Sequence, residues 1–321
     1  MDTVARVTRT TCDYCPGSVL RQEPFLAYED DDVVVFPAPE QAPTNPGFSM
    51  LVSRRHIPDL HALPDRMVGP VMRGLRVAGA AVRSAFHADG LTIRQNNGPP
   101  GQHVFHLHFH LVPRHSSDGH DGYVRGPLTP VPAGTRAHQA SLIRQAIRAA
   151  TETSGDGSSG VVPLGGVGLG GVGLGGVVGL GGVVGAGGVD GSGGVAYRDD
   201  DVVILPAEMQ RPGSRGEMIV VLRRHTDGLA TISDAAGAAL LAAVRRCSLA
   251  VQHVGGASGT TIRLHDGPPG QELASVGWYV IPRWVGDRFL DEDRRPVDHA
   301  ERLAQARRLE SFLCPPGSSG R

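Results

Sequence analysis

The residues of this chain with the clearest chemical potential lie in the segment Gly101-Gln102-His103-Val104-Phe105-His106-Leu107-His108-Phe109-His110-Leu111-Val112-Pro113-Arg114. A strand predicted over Val104–Val112 puts His106, His108 and His110 on one face and turns Leu107, Phe109 and Leu111 into the core. A strand face left to solvent ordinarily carries Thr, Arg, Lys or Glu, so three imidazoles in a row point to chemistry. Neutral imidazole is a nucleophile near pH 7 because its ordinary pKa is about 6.5. A metal site built from all three is the alternative, but neighbouring side chains on one strand face stand roughly 6.6 Å apart, wide for a single ion. A second group, Cys12-Asp13-Tyr14-Cys15, is a C-x-x-C knuckle suited to Zn²⁺ or to redox chemistry. No βαβ pattern surrounds it, which weakens the redox reading.

These residues need a framework. Val33–Phe36 and Phe48–Ser53 read as strands separated by a Pro-rich loop. Pro64–His87 reads as a helix closed by Gly90, and Leu91–Gln95 as the strand before the imidazole strand. The unit is α+β, a small antiparallel sheet with one main helix, followed by an amphipathic helix over Thr135–Thr151. The pattern then recurs. Asp30-Asp31-Asp32-Val33-Val34 matches Asp199-Asp200-Asp201-Val202-Val203, and Arg54-Arg55-His56 matches Arg223-Arg224-His225. Thr92-Ile93-Arg94 matches Thr261-Ile262-Arg263, and Gly98-Pro99-Pro100-Gly101-Gln102 matches Gly267-Pro268-Pro269-Gly270-Gln271. Pro113-Arg114 matches Pro282-Arg283 at the same offset, and Asp298–Leu313 repeats the trailing helix. A register held this long marks a duplicated domain.

Half of the 40 residues from Gly155 to Gly194 are Gly, with Val and Leu filling near-repeats of GGVGLGG. Its uncharged stretch raises the question of a membrane span, but each interior Gly costs a helix about 1 kcal/mol relative to Ala, so a flexible linker is expected. The predicted domains are therefore 1–153, a linker over 154–194, and 195–321.

The chain has 321 residues, 40% hydrophobic and 20% charged, ordinary for a globular protein. A net charge of −1 lacks the electrostatic signature of a nucleic-acid or membrane-surface binder, so neither partner is expected. All basic side chains other than His are Arg. Four cysteines and no charged-then-apolar leader at Met1–Thr11 are expected of a reducing, cytoplasmic compartment.

The residues Asn96-Asn97-Gly98, Gly101-Gln102, Val104, His106-Leu107-His108-Phe109-His110 and Pro113-Arg114 resemble the motif of the histidine triad superfamily over about Cys12 to Arg114. The resemblance implies two such domains and a nucleotide or nucleotide conjugate as substrate. It also implies that His108 attacks the α-phosphorus to form a nucleotidyl-histidine, later resolved by water or another acceptor. A phosphoryl transition state spreads charge over its oxygens, so the other roles are positioning and donation. Gln102 and the turn amides are expected to donate, His110 to hold a phosphate oxygen, and His103 to protonate the leaving group. Asn96, Asn97 and Gly101 complete the expected binding set. Strict alternation turns His103 away from His106, so its role requires a turn or bulge before Val104.

The branch of this superfamily that includes galactose-1-phosphate uridylyltransferase pairs such a cysteine knuckle with two histidines. The resemblance thus implies structural Zn²⁺ on Cys12, Cys15, His56 and His106. Those transferases resemble His-Pro-His-x-Gln, whereas Leu107 and His110 here match the hydrolase branch. Nucleotidyl hydrolysis is therefore expected, with a nucleotidyltransferase or a non-catalytic nucleotide-binding protein as alternatives. Ala38 departs from relatives that carry a ribose-gripping Asp there. In the second repeat Ser275, Gly277 and Tyr279 replace the three histidines and no C-x-x-C precedes them, so this copy cannot perform the same step. His225, without cysteine partners, reads as an ordinary loop residue. Family members usually pair as dimers; the degenerate copy is expected to act as a built-in partner, an intrachain pseudo-dimer, with a homodimer also open.

Overall fold

The computed structural model describes residues 12–119, 128–153, 194–287 and 294–313. The expected linker, apart from Gly194, and the stretch Met1–Thr11 lie outside the described residues.

The first repeat runs β1 (Tyr28–Glu29), β2 (Val33–Pro37), β3 (Glu40–Gln41), β4 (Ser49–Ser53), α1 (Asp65–Ala85), β5 (Gly90–Asn97), β6 (His108–Arg114), β7 (Thr129–Pro130) and α2 (Ala133–Thr153). The second runs β8 (Tyr197–Arg198), β9 (Val202–Pro206), β10 (Met209–Gln210), β11 (Met218–Leu222), α3 (Asp234–His253), β12 (Gly259–Asp266), β13 (Gly277–Arg283), β14 (Arg295–Pro296) and α4 (His299–Leu313). Each half is the α+β unit expected from the sequence. Helix α1 forms because Met67, Val68, Val71, Met72, Leu75, Ala78 and Val82 recur at helical spacing and bury one stripe.

The halves share one antiparallel sheet of ten strands, ordered β1-β2-β4-β6-β5-β12-β13-β11-β9-β8. The seam is β5 against β12, with Asn96 opposite Thr261, Arg94 opposite Arg263 and Thr92 opposite His265. Pairing removes the bare edge that each half would otherwise present. Val33, Val35, Leu51, Phe109, Leu111, Ile262 and Val280 face the helices in one core spanning both repeats. On the opposite face Val34, Phe36, Met50, Val52 and Val112 form a separate cluster in the first half, and Leu205, Ile219, Tyr279 and Ile281 one in the second. That second face carries the imidazoles.

One expectation requires correction: the imidazole strand begins at His108, not Val104. Leu107 C=O still accepts from Ser53 N–H at 3.1 Å, in register with Val52 opposite His108, but Leu107 N–H turns to Ile57 C=O at 2.6 Å, and the regular pairing stops there. Among the described residues no helix is long and apolar enough to cross a membrane.

Candidate functional site

With His106 off the strand, the expected row becomes two connected features. His108 and His110 lie on β6 with ring centroids 5.1 Å apart, inclined at 66°. The ring of Tyr14 stands edge-on between the strand and the knuckle, 5.2 Å from His108 and 6.2 Å from His106. Burial, reinforced by Asp13 and Cys12, pushes the Tyr14 phenol up to about 12, so it stays protonated.

His108 is buried, and its Nδ1 lies 2.6 Å from the His106 carbonyl oxygen. A carbonyl only accepts, so Nδ1 carries the proton and Nε2 carries the lone pair. Nε2 makes no protein hydrogen bond among the described residues. Burial lowers the pKa of His108, and the nearby Arg94 lowers it further. His110 is pushed well below its ordinary value by burial, with Arg94 and His108 adding to it. Its buried Nδ1 has no hydrogen-bond partner among the described residues. The ring packs 5.5 Å from Phe48. Both imidazoles are therefore held neutral.

The knuckle closes beside them. Cys12 Sγ lies 3.4 Å from His106 Nδ1, Cys15 Sγ 3.3 Å from His56 Nδ1, and Cys15 Sγ 3.7 Å from His106 Nδ1. The four ligand atoms all fall within 4.8 Å of one another. Such separations suit the edges of a tetrahedron with metal–ligand bonds of about 2.0–2.3 Å. His106 Nε2–H donates to the Ser53 carbonyl at 2.8 Å, which turns the Nδ1 lone pair toward the sulfurs. Burial holds the His106 pKa down at about 4, so it is neutral, the ligating form. The group can hold a metal ion. His108 and His110 lie outside it.

The remaining predicted residues divide. Asn96 is on the imidazole face of β5, where its Oδ1 accepts from the Thr261 hydroxyl at 2.7 Å. Gly101 lies against it: a Cβ there would sit 3.0 Å from Asn96 Oδ1. Asn97, the next residue, faces the helices instead. Its carboxamide is taken up by Leu60 N–H, Gln95, Thr260 and Ser248, so the substrate role expected of it has no support in this geometry. The Gln102 side chain is also committed. Its Nε2 donates to Pro58 and Val104 carbonyls at 2.6 and 3.1 Å, and its Oε1 accepts from Gly98 N–H at 2.8 Å. It shapes the turn, and the expected side-chain donation from it requires breaking these bonds. His103 is exposed, and no hydrogen bond or ring contact joins it to the row among the described residues.

Sequence reasoning missed Tyr14 and Arg94. Arg94 is the Cα partner of His110 in the ladder and is the charge that faces both imidazoles. Period-two reading of β5 was signal enough to find it, since Arg94 and Asn96 share a face.

A HIT domain model matches residues 20–117. An uncharacterized HIT-like protein of Saccharolobus solfataricus is 33% identical over 108 residues, covering 33% of this chain and 76% of that protein. The chain belongs to the histidine triad family. An adenylylsulfatase of Arabidopsis thaliana is 28% identical over 109 residues, 33% of this chain and 54% of that protein. Among solved structures, a uridylyltransferase overlays 98% of this chain and 93% of its own with a TM-score of 0.53 at 15% identity. An ADP-glucose phosphorylase from Arabidopsis thaliana overlays 94% and 89% at a TM-score of 0.50 and 10% identity. The family match falls within the first repeat, and the duplicated architecture is matched by structures too divergent to inform on more than fold.

Proposed function

We propose that the N-terminal repeat is a nucleotidyl hydrolase acting at the α-phosphorus of a nucleotide conjugate through His108. The observation that carries this reading is the fixed tautomer: Nδ1–H is tied to the His106 carbonyl at 2.6 Å, and the Nε2 lone pair has no protein partner among the described residues. Nε2 attacks phosphorus, the Nε2–P bond forms, and the bond to the leaving group breaks. The departing group takes its proton from solvent, since His103 is not joined to the row. The imidazolium so formed keeps its Nδ1–H on the His106 carbonyl, which offsets the new positive charge. Water then forms a P–O bond, Nε2–P breaks, and the water proton is released to solvent. His110 and the Asn96 amide are the positioned contacts for phosphate oxygens, and Arg94 supplies positive charge toward which the developing anion is drawn.

Zn²⁺ is the metal whose preference suits a Cys₂His₂ donor set. Held by Cys12, Cys15, His56 and His106 it would supply structural cross-linking, tying the Tyr14 segment to the residue two before His108. Retention of His at position 110 favours hydrolysis over transfer.

Alkaline-quenched mixtures with adenosine phosphoramidate or a dinucleoside polyphosphate should show intact protein heavier by one nucleoside monophosphate. His108→Ala should lose the adduct and all turnover. Decay of the adduct in water alone supports the hydrolase, whereas decay only on adding phosphate or a sugar phosphate indicates a transferase. Nucleotide binding with no adduct overturns covalent catalysis.

A further inference from the structure

The Pro-Arg pairs that end β6 and β13, and the threonines of the matched Thr-Ile-Arg segments, have no part in the chemistry above, yet they meet at the seam. Arg283 grips Asp287 with Nε and Nη2 at 2.7 and 2.8 Å, and its Nη1 donates to Thr261 Oγ1 at 3.0 Å. Having accepted that bond, the Thr261 hydroxyl donates its own proton across the seam to Asn96 Oδ1 at 2.7 Å. Arg283, Asp287 and Thr261 belong to the degenerate copy; Asn96 belongs to the competent one. A Cβ on Gly101 would stand 3.4 Å from Arg283 Nη1, so the relay also lies under the turn that leads to the nucleophile strand. The reciprocal relay exists. Asp118 holds Arg114, Arg114 Nη1 donates to Thr92 Oγ1 at 3.1 Å, and Thr92 is 2.9 Å from His265 Nδ1. It ends on an imidazole among arginines, in a half without a nucleophile.

A carboxamide whose oxygen is fixed has its NH₂ group fixed as well. Asn96 Nδ2 donates to no protein acceptor among the described residues, and Asn96 shares the sheet face of His110 and Arg94. We propose that the second copy serves as a positioning device, whose Asp287–Arg283–Thr261 relay sets Asn96 so that Nδ2 donates to a phosphate oxygen of the substrate. The proposal rests on the functional reading above.

In the full-length chain, Thr261→Val keeps the side-chain volume and removes the donor. It should lower kcat/KM for the nucleotidyl probe about tenfold, the scale of one oriented hydrogen bond, while Thr261→Ser retains most of the rate. Asp287→Asn, which loosens Arg283 from outside the seam, should give a smaller loss in the same direction and covers the case in which Thr261→Val fails to fold. The decisive comparison is in an Asn96→Ala background, where Thr261→Val should cost nothing further. An undiminished rate in Thr261→Val, or a tenfold loss that persists without Asn96, overturns the relay while adduct formation at His108 in the wild type leaves the functional reading standing. A wild-type chain that never forms the adduct sinks that reading instead, and the relay with it.

Discussion

The two halves of the sheet present the same strands in the same order, yet one face holds neutral imidazoles and the other holds charges that neutralise one another. Where the first half has His110, the second has Tyr279, whose hydroxyl donates to Glu272 at 3.1 Å, while Arg294 grips the same carboxylate. Arg263 lies 5.6 Å over the Tyr279 ring, and buried Arg211 pairs with buried Glu217 at 3.3 Å. Where the first half has His106, the second has Ser275, hydrogen-bonded to Thr226 beside His225. Buried charge without a partner is costly, and the charged groups on this face pair with one another. The difference teaches what the two copies share: seam, core and Arg–Asp clamps persist in both halves, whereas the residues of the candidate site differ.

The largest effect that separates the halves should come from the knuckle. Cys15→Ser, or a strong chelator, should remove bound metal and lower the unfolding free energy by several kcal/mol, because metal affinity for a site absent in the unfolded chain is folding energy. The matching Ser275→Ala change should cost about 1 kcal/mol, one hydrogen bond. Metal content by atomic emission together with denaturant unfolding checks both; a Cys15→Ser chain with wild-type stability breaks the contrast.

Next in size is the attempt to reverse divergence. Gly277 stands where His108 stands in the first half, and a Cβ there would fall 2.6 Å from Val221 Cγ1 and 2.7 Å from Leu273 Cδ1. Gly277→His should therefore cost about 1–3 kcal/mol in overpacking, visible as a lowered melting temperature. Combined with Ser275→His and Tyr279→His it should yield no second nucleotidyl adduct per chain. An adduct stoichiometry of two would show that the second half lost its chemistry recently and kept the room for it.

Much of this contrast could be read from the residues, and the parts that could not share one cause. Periodicity locates the strands and α1 because core packing enforces it, and the offset of 169 positions that carries Asp30 onto Asp199 marks the repeat in the residues alone. The resemblance to histidine triad proteins supplied the four candidate metal ligands, whose ligand atoms the structure brings within 4.8 Å of one another. Side-chain direction at irregular backbone was the weak point. His106 sits before the strand, Gln102 turns inward to carbonyls, and His103 stays exposed, because a turn with Pro99, Pro100 and Gly101 obeys no period. Asn97 turns away from the imidazoles for the opposite reason: β5 runs regularly through it, two residues beyond its expected end at Gln95, and alternation sends it to the helix face. The seam itself depends on which edge strands meet, a long-range choice that leaves only faint marks in local sequence.

The smallest expected effect tests whether His225 keeps anything of its counterpart's role. His56 is drawn to Cys15 at 3.3 Å. His225 has an exposed side chain, 58% accessible, whose Nε2 lies 3.2 Å from Asp227, itself 89% accessible. Exposed ion pairs of this kind contribute little, and surface substitutions away from packed features usually shift stability by no more than about 0.5 kcal/mol. His225→Ala should therefore leave unfolding, metal content and turnover within error of the wild type, whereas His56→Ala should lower metal content along with stability. Loss of metal from His225→Ala would mean that the second half still feeds the knuckle, and the division between a chemical half and a positioning half would have to be redrawn.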